Sequence, residues 1–203
     1  MMRLYDRQKE LNLKVPEAVA VLGVGGIGSW VALDLALVGV KKLILIDSDI
    51  VEEHNLNRTP FSKDHVGKFK VHSLAMLIKE RRPDITVLPL TDRRFDDNIN
   101  LMKSNRIEYV IDCRDRLIPN RLMGVFPYVK LGYDGKKMTI HFNPRPETVW
   151  GEGHRYTVVP SYLVPPQFLA GLITEVITSG KFPEDEKVIN LDMEKVVEVL
   201  LDV

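Results

Sequence analysis

The stretch AVAVLGVGGIGSWVALDLALVG, residues 18–39, decides the fold. AVAVLG is a short apolar run bounded by glycine, the pattern of a buried strand. From Ile27 to Val38, Ala and Leu recur at helical spacing, and Gly39 offers a stop. Between the two, GVGGIG fits G-x-G-x-x-G, with glycine at 23, 25, 26 and 28. Glycines let a backbone turn tightly and approach a phosphate closely. The helix that follows offers free N–H groups and a positive dipole end to the same anion. The next apolar run, KLILID (42–47), ends on Asp47, 19 residues after Gly28. A carboxylate there can accept hydrogen bonds from ribose hydroxyls. Gly23, Gly25, Gly26, Gly28 and Asp47 are therefore candidate nucleotide-binding positions. The competing reading is a glycine turn that only packs helix on strand.

Working outward, residues 64–82 read as an amphipathic helix with Asp64 as N-cap and a stop before Pro83. ITVLPL (85–90) and IEYVIDC (107–113) read as further strands, and FPYVKLGY (126–133) and KKMTIHF (136–142) as weaker ones. QFLAGLITEVI (167–177) and MEKVVEVLLDV (193–203) read as helices. Strands alternating with helices predict an α/β chain: a Rossmann-like, doubly wound, mainly parallel sheet with helices on both faces. The expected organisation is a single domain over 1–203. Residues 1–14 form an N-terminal helix or arm, 143–166 a proline-rich loop, and 167–203 the C-terminal helices.

Composition bounds the partners. Hydrophobic residues make up 45% and charged residues 28%, ordinary for a globular protein. Lys+Arg and Asp+Glu both number 28, so neither a nucleic-acid nor an anionic-membrane surface is expected. The single cysteine, Cys113, forms no internal disulfide or thiolate zinc cage, and reads as an inert core thiol. MMRLYDRQKE carries no apolar signal segment, and the uncharged run 18–33 is short for a membrane span. A cytoplasmic protein is the expectation.

Beyond Asp47 the chain carries more phosphate chemistry than an inert dinucleotide needs. Asn55 and Arg58 follow the strand, Arg with a fork of donors suited to phosphate oxygens. VGKFK then places Lys68 and Lys70 at a helix start, as point charges for outer phosphates. VIDCRD sets Asp112 and Asp115 at the end of a strand. Magnesium usually needs only one or two carboxylates beside the phosphates. This combination suggests a nucleoside triphosphate whose phosphates react.

With those residues in hand, the chain resembles the ubiquitin-activating-enzyme-like adenylyltransferases of the ThiF, MoeB and HesA type. G-x-G-G-x-G, D-x-D, N-L-x-R, V-G-x-x-K and D-C-x-D occur in that family's order, and YDRQ (5–8) is similar to its Y-x-R-Q. The resemblance spans Tyr5 to about Gly180. It implies that the glycines cradle ATP, that Asp47 holds the ribose, and that Asn55, Arg58 and Lys70 bind the triphosphate. It implies Asp115 as the Mg²⁺ carboxylate, and Arg7 as an arginine lent to a partner subunit in a homodimer. By chemistry alone Arg7 reads as a surface arginine. The implied reaction adenylates the C-terminal carboxylate of a ubiquitin-like or sulfur-carrier protein, typically ending in Gly-Gly.

The chain also departs from the family. The paired C-x-x-C zinc cysteines are missing, so no structural zinc is expected, and residues 143–166 hold no cysteine for a thioester. Arg116 stands where the family usually has Asn. Trp150, Tyr156 and Tyr162 read as packing residues or as a grip on a peptide tail. Two alternatives stay open: a non-catalytic, partner-binding pseudoenzyme, and an NAD-dependent oxidoreductase.

Overall fold

The computed structural model describes residues 4–92, 98–115, 121–145 and 159–202. In chain order the strands are β1 (Ala18–Leu22), β2 (Lys42–Ile46), β3 (Thr86–Leu90), β4 (Tyr109–Asp112), β5 (Tyr128–Asp134), β6 (Lys137–Phe142) and β7 (Lys187–Asp192). The helices are α1 (Gly26–Val38), α2 (Lys70–Arg81), α3 (Ile99–Ser104), α4 (Val164–Thr178) and α5 (Met193–Leu201). The strands form one sheet in the order β3-β2-β1-β4-β5-β6-β7. Pairing is parallel from β3 across to β5 and antiparallel for β5–β6 and β6–β7. The expected mainly parallel, Rossmann-like sheet is what forms. Strand order reverses between β1 and β4, which opens a crevice at their carboxyl ends, the usual ligand position in such sheets.

The apolar runs fold as they do because the central strands are covered on both faces. All five residues of β1 are buried. On one face Val19, Val21, Leu43 and Leu45 pack with Val31 and Leu35 of α1, Leu74 and Ile78 of α2, and Leu169 and Ile173 of α4. On the other, Ala20, Leu22, Ile44 and Ile46 pack with Met102 of α3, Leu122 and Phe126. Pro89 sits in β3, the edge strand, where a missing N–H interrupts no inner ladder.

Three boundaries differ from the sequence reading. The helix expected from Asp64 begins at Lys70, because Gly67 takes a left-handed φ of 83° and residues Lys63–His65 close as a separate 3-10 turn. Residues 167–203 are not helices alone: β7 intervenes and pairs with β6. α3 was not foreseen in the sequence. The N-terminal segment is an arm with a 3-10 turn at Lys9–Leu11. It packs at the C-terminal end of α1, where Gln8 Nε2 donates to Val38 O at 2.8 Å. The Tyr5 ring lies 5.0 Å from the guanidinium carbon of buried Arg82. Among the described residues, no helix is long and apolar enough to cross a membrane.

Two stability predictions follow from α1. A Cβ at Gly28 would overlap the carbonyl oxygen of Gly23, whereas one at Gly25 meets nothing within 4 Å. Gly28→Ala should destabilise by about 3 kcal/mol in urea unfolding, and Gly25→Ala by under about 1 kcal/mol; equal effects would contradict this packing. Asp34, half-buried, has its carboxyl raised to about 6 by burial. The folded state therefore holds that proton more tightly than the unfolded chain. The resulting stabilisation is present below the unfolded value and is lost as pH rises through about 6. Asp34→Asn should match the wild type near pH ~4 and exceed it by about 1 kcal/mol near pH ~8, allowing for solvent screening.

Candidate nucleotide site at the carboxyl edge of the sheet

The glycine turn joins β1 to α1 over the crevice. Gly23 adopts φ +78° and donates its N–H to Ile46 O at 2.8 Å, which ties the turn to β2. The first N–H groups of a helix have no intrahelical acceptor, so the start of α1 is set up to receive an anion. The open space at Gly25 is where a ligand would approach the backbone. A Cβ at Gly26 would come within 2.9 Å of the Tyr133 hydroxyl. That hydroxyl bonds Ser161 Oγ at 2.6 Å, so the chain around Ser161 lies beside the turn.

Asp47 fixes the turn from the tip of β2. Its Oδ2 accepts the Val24 N–H at 2.8 Å, and its Oδ1 accepts the Asp49 N–H at 2.9 Å. Burial raises its carboxyl; those bonds and the charge of Lys70 oppose the rise without cancelling it. A carboxylate has about four acceptor positions, so two remain for hydroxyls.

The basic residues are held close by. Lys70 opens α2, where its N–H donates to Asp49 O at 2.9 Å and its Nζ pairs with Asp49 Oδ2 at 3.1 Å. Asp49, read in the sequence as a turn residue, is thus also the counter-ion of Lys70. Arg58 Nη1 donates to Asn57 Oδ1 at 3.0 Å and to His54 O. The Arg58 carbonyl accepts Trp30 Nε1 at 3.0 Å, which anchors this loop to α1. Asn57 also donates to Ser161 O at 3.4 Å. Buried Asn55 has its Oδ1 engaged by Glu52 N–H at 3.0 Å, so it shapes the loop.

Beside the turn, on β4, lies a buried ionic cluster. Fully buried Asp112 takes both forks of Arg114, Nε and Nη2 at 2.8 Å each, and the Tyr128 hydroxyl. Lys130 Nζ lies 3.6 Å from Asp112 Oδ2 and donates to Arg114 O at 2.6 Å. Burial pushes the Cys113 thiol well up, which favours its protonated form. Asp115 follows, exposed to solvent. Among the described residues, no group of three or more His, Cys, Asp or Glu could hold a metal. Asp115 offers a lone carboxylate, which fits a magnesium ion held mainly by phosphates and water.

The structure therefore gathers Gly23–Gly28, Asp47, Asn55, Arg58 and Lys70 at one sheet edge, with Asp115 beside them. It does not bring Arg7 there. That residue is exposed on the arm at the far end of α1, about 20 Å along a 13-residue helix. Arg116, Trp150 and Tyr156 lie outside the described residues. Sequence reading missed Tyr133, Ser161, Arg114 and Lys130; only Lys130 carried a visible signal, as a lysine inside an apolar strand. A cavity of about 700 Å³ lies at the opposite, amino edge, lined by Tyr109, Phe126, Asn143 and Phe182, and takes in none of the phosphate-site residues.

Comparison with known proteins agrees with this geometry. The ThiF family profile matches residues 4–124. The tRNA threonylcarbamoyladenosine dehydratase of Escherichia coli is 36% identical over 118 residues, 58% of this chain and 44% of that protein. Its crystal structure in complex with AMP superposes with a TM-score of 0.55 at 30% identity, covering 61% of this chain and 56% of that one. Ubiquitin-like modifier-activating enzyme 5 of Aedes aegypti is 40% identical over 110 residues, 49% of this chain and 28% of that protein. The crystal structure of PaaA shares the fold, with a TM-score of 0.66 at 22% identity over 87% of this chain and 64% of that one. The chain thus spans less than half the length of the curated relatives it matches. Its glycine turn, its ordered motifs and the profile over more than half its residues together place the chain in the ThiF family.

Proposed function

We propose that this chain is an ATP-dependent adenylyltransferase that converts a substrate's C-terminal carboxylate to an acyl-AMP. The observation that carries the reading is the clustering of Lys70 and Arg58 with an open glycine turn, beyond what an inert dinucleotide requires. ATP lies with its ribose at Asp47 and its phosphates along Gly25 and the start of α1. Lys70 leaves Asp49, and Arg58 leaves Asn57, to meet the phosphate oxygens. A carboxylate oxygen then attacks the α-phosphorus while the bond to pyrophosphate breaks. The two cations offset charge on the transferring group, which is the main catalytic need of such a step. Magnesium at Asp115 would supply further charge neutralisation when bound.

The similarity to a ubiquitin-like modifier-activating enzyme supports a ubiquitin-like or sulfur-carrier protein ending in Gly-Gly as the substrate. The similarity to a tRNA-modifying dehydratase supports a second reading, in which the carboxylate belongs to a modified nucleoside. Cys113, with its thiol pushed up, is not the covalent acceptor in either. We further place the protein in the cytoplasm as a homodimer without structural zinc. There Arg7 serves the neighbouring subunit's site, since it lies far from its own.

ATP–pyrophosphate exchange with Mg²⁺, run with candidate carriers one at a time, tests the reading. Arg58→Ala, Lys70→Ala and Asp115→Ala should each lower exchange about 100-fold or more. Full exchange in all three variants would refute it. Carrier binding with no exchange in the wild type would leave the partner-binding pseudoenzyme.

A further inference from the structure

Lys130 is fully buried in β5. Its Cα partner on β4 is Asp112 and its partner on β6 is His141, so three polar residues stand in one row across the sheet. All three are buried. A leucine or methionine at position 130 would pack the sheet without the desolvation an ammonium suffers. A hydrocarbon could not hold a carbonyl oxygen, and that is what Lys130 does, at 2.6 Å from Arg114 O.

We propose that Lys130 is a positioning residue that presents Asp115 to the metal-bound triphosphate; this rests on the adenylation reading above. The turn from Asp112 to Asp115 is folded back on itself. Asp112 Oδ1 accepts the Arg114 N–H at 3.0 Å, and the Arg114 guanidinium returns to the same carboxylate. Those bonds close the turn but leave the Arg114 carbonyl to be fixed by another element. Lys130 fixes it from β5. The peptide it holds, Arg114 C=O, is the one that leads into Asp115. The same turn presses on the glycine turn: a Cβ at Gly23 would lie 2.8 Å from Arg114 Cγ and 3.2 Å from Arg114 N. Lys130 therefore sets the metal carboxylate relative to the phosphate cradle through the Arg114 carbonyl. Burial lowers its basicity and Asp112 partly restores it, as expected of an ammonium retained for its contacts.

Calorimetric titration with ATP, in Mg²⁺ and separately in EDTA, tests this without an identified carrier. The wild type should bind ATP more tightly with Mg²⁺. Lys130→Met should lose about tenfold or more of that Mg²⁺-dependent gain, with its EDTA affinity held within about threefold, and Asp115→Asn should lose the gain as well. Lys130→Gln keeps an N–H donor and should recover part of the gain. It also decides the matter if Lys130→Met fails to melt cooperatively. A wild-type Mg²⁺ gain in the folded variants would overturn the proposal, and so would an equal loss of affinity in Mg²⁺ and EDTA. A wild type with no Mg²⁺ dependence would overturn the metal role of Asp115 itself, a failure of the adenylation reading visible before any variant is made.

Discussion

The first turn of α1 lies so close to the end of β1 that position 28 has no room for a side chain. Much of the structure depends on that contact. It sends α1 back along β1, where Val31 and Leu35 close one face of the core. It also leaves the start of α1 pointing into the crevice where the strand order reverses. A bulkier turn would move both the core and the anion site. Asp47 holds the arrangement from the other side, because its carboxylate spans from Val24 N–H to Asp49 N–H. Fold and candidate site thus share one junction.

The site as it stands satisfies itself. Lys70 rests on Asp49 and half-buried Arg58 on Asn57. Lys70 is itself largely buried and only its partner Asp49 is well exposed, so a triphosphate would have to replace that carboxylate to engage the ammonium. The Asp112 cluster is different: it is buried, and its members hold one another. The candidate phosphate residues sit at the start of α2 and on the loop before it, whereas the buried cluster sits on β4, on β5 and in the turn after β4.

Much of this was legible in the sequence, for physical reasons. Central parallel strands are buried on both faces, so β1 and β2 read as unbroken apolar runs. The glycine turn was legible because backbone geometry demands glycine there. β7 was not, since KVINLD holds only three apolar residues without strict alternation and none of its residues is buried. The early start given to α2 came from reading Asp64 as a cap without weighing Gly67 as a break. The candidate phosphate residues could be listed from their order, but not their resting partners. Asp49 as counter-ion, and Ser161 beside Tyr133, arise from contacts between segments far apart in the chain. Lys130 was passed over as one lysine in an apolar strand, and its partner, the carbonyl of Arg114, is backbone and leaves no mark on a sequence.

The four glycines of the turn answer to different constraints. Gly28 is fixed by the chain's own Gly23 carbonyl, Gly23 by its left-handed backbone and by Arg114, and Gly26 by Tyr133, while Gly25 faces empty space. A lineage that abandoned nucleotide binding would still need the outer pair to fold, but nothing in the protein itself would defend position 25. In such descendants the motif should erode from within, and a glycine pattern lacking only that residue would mark an inherited scaffold whose ligand has gone.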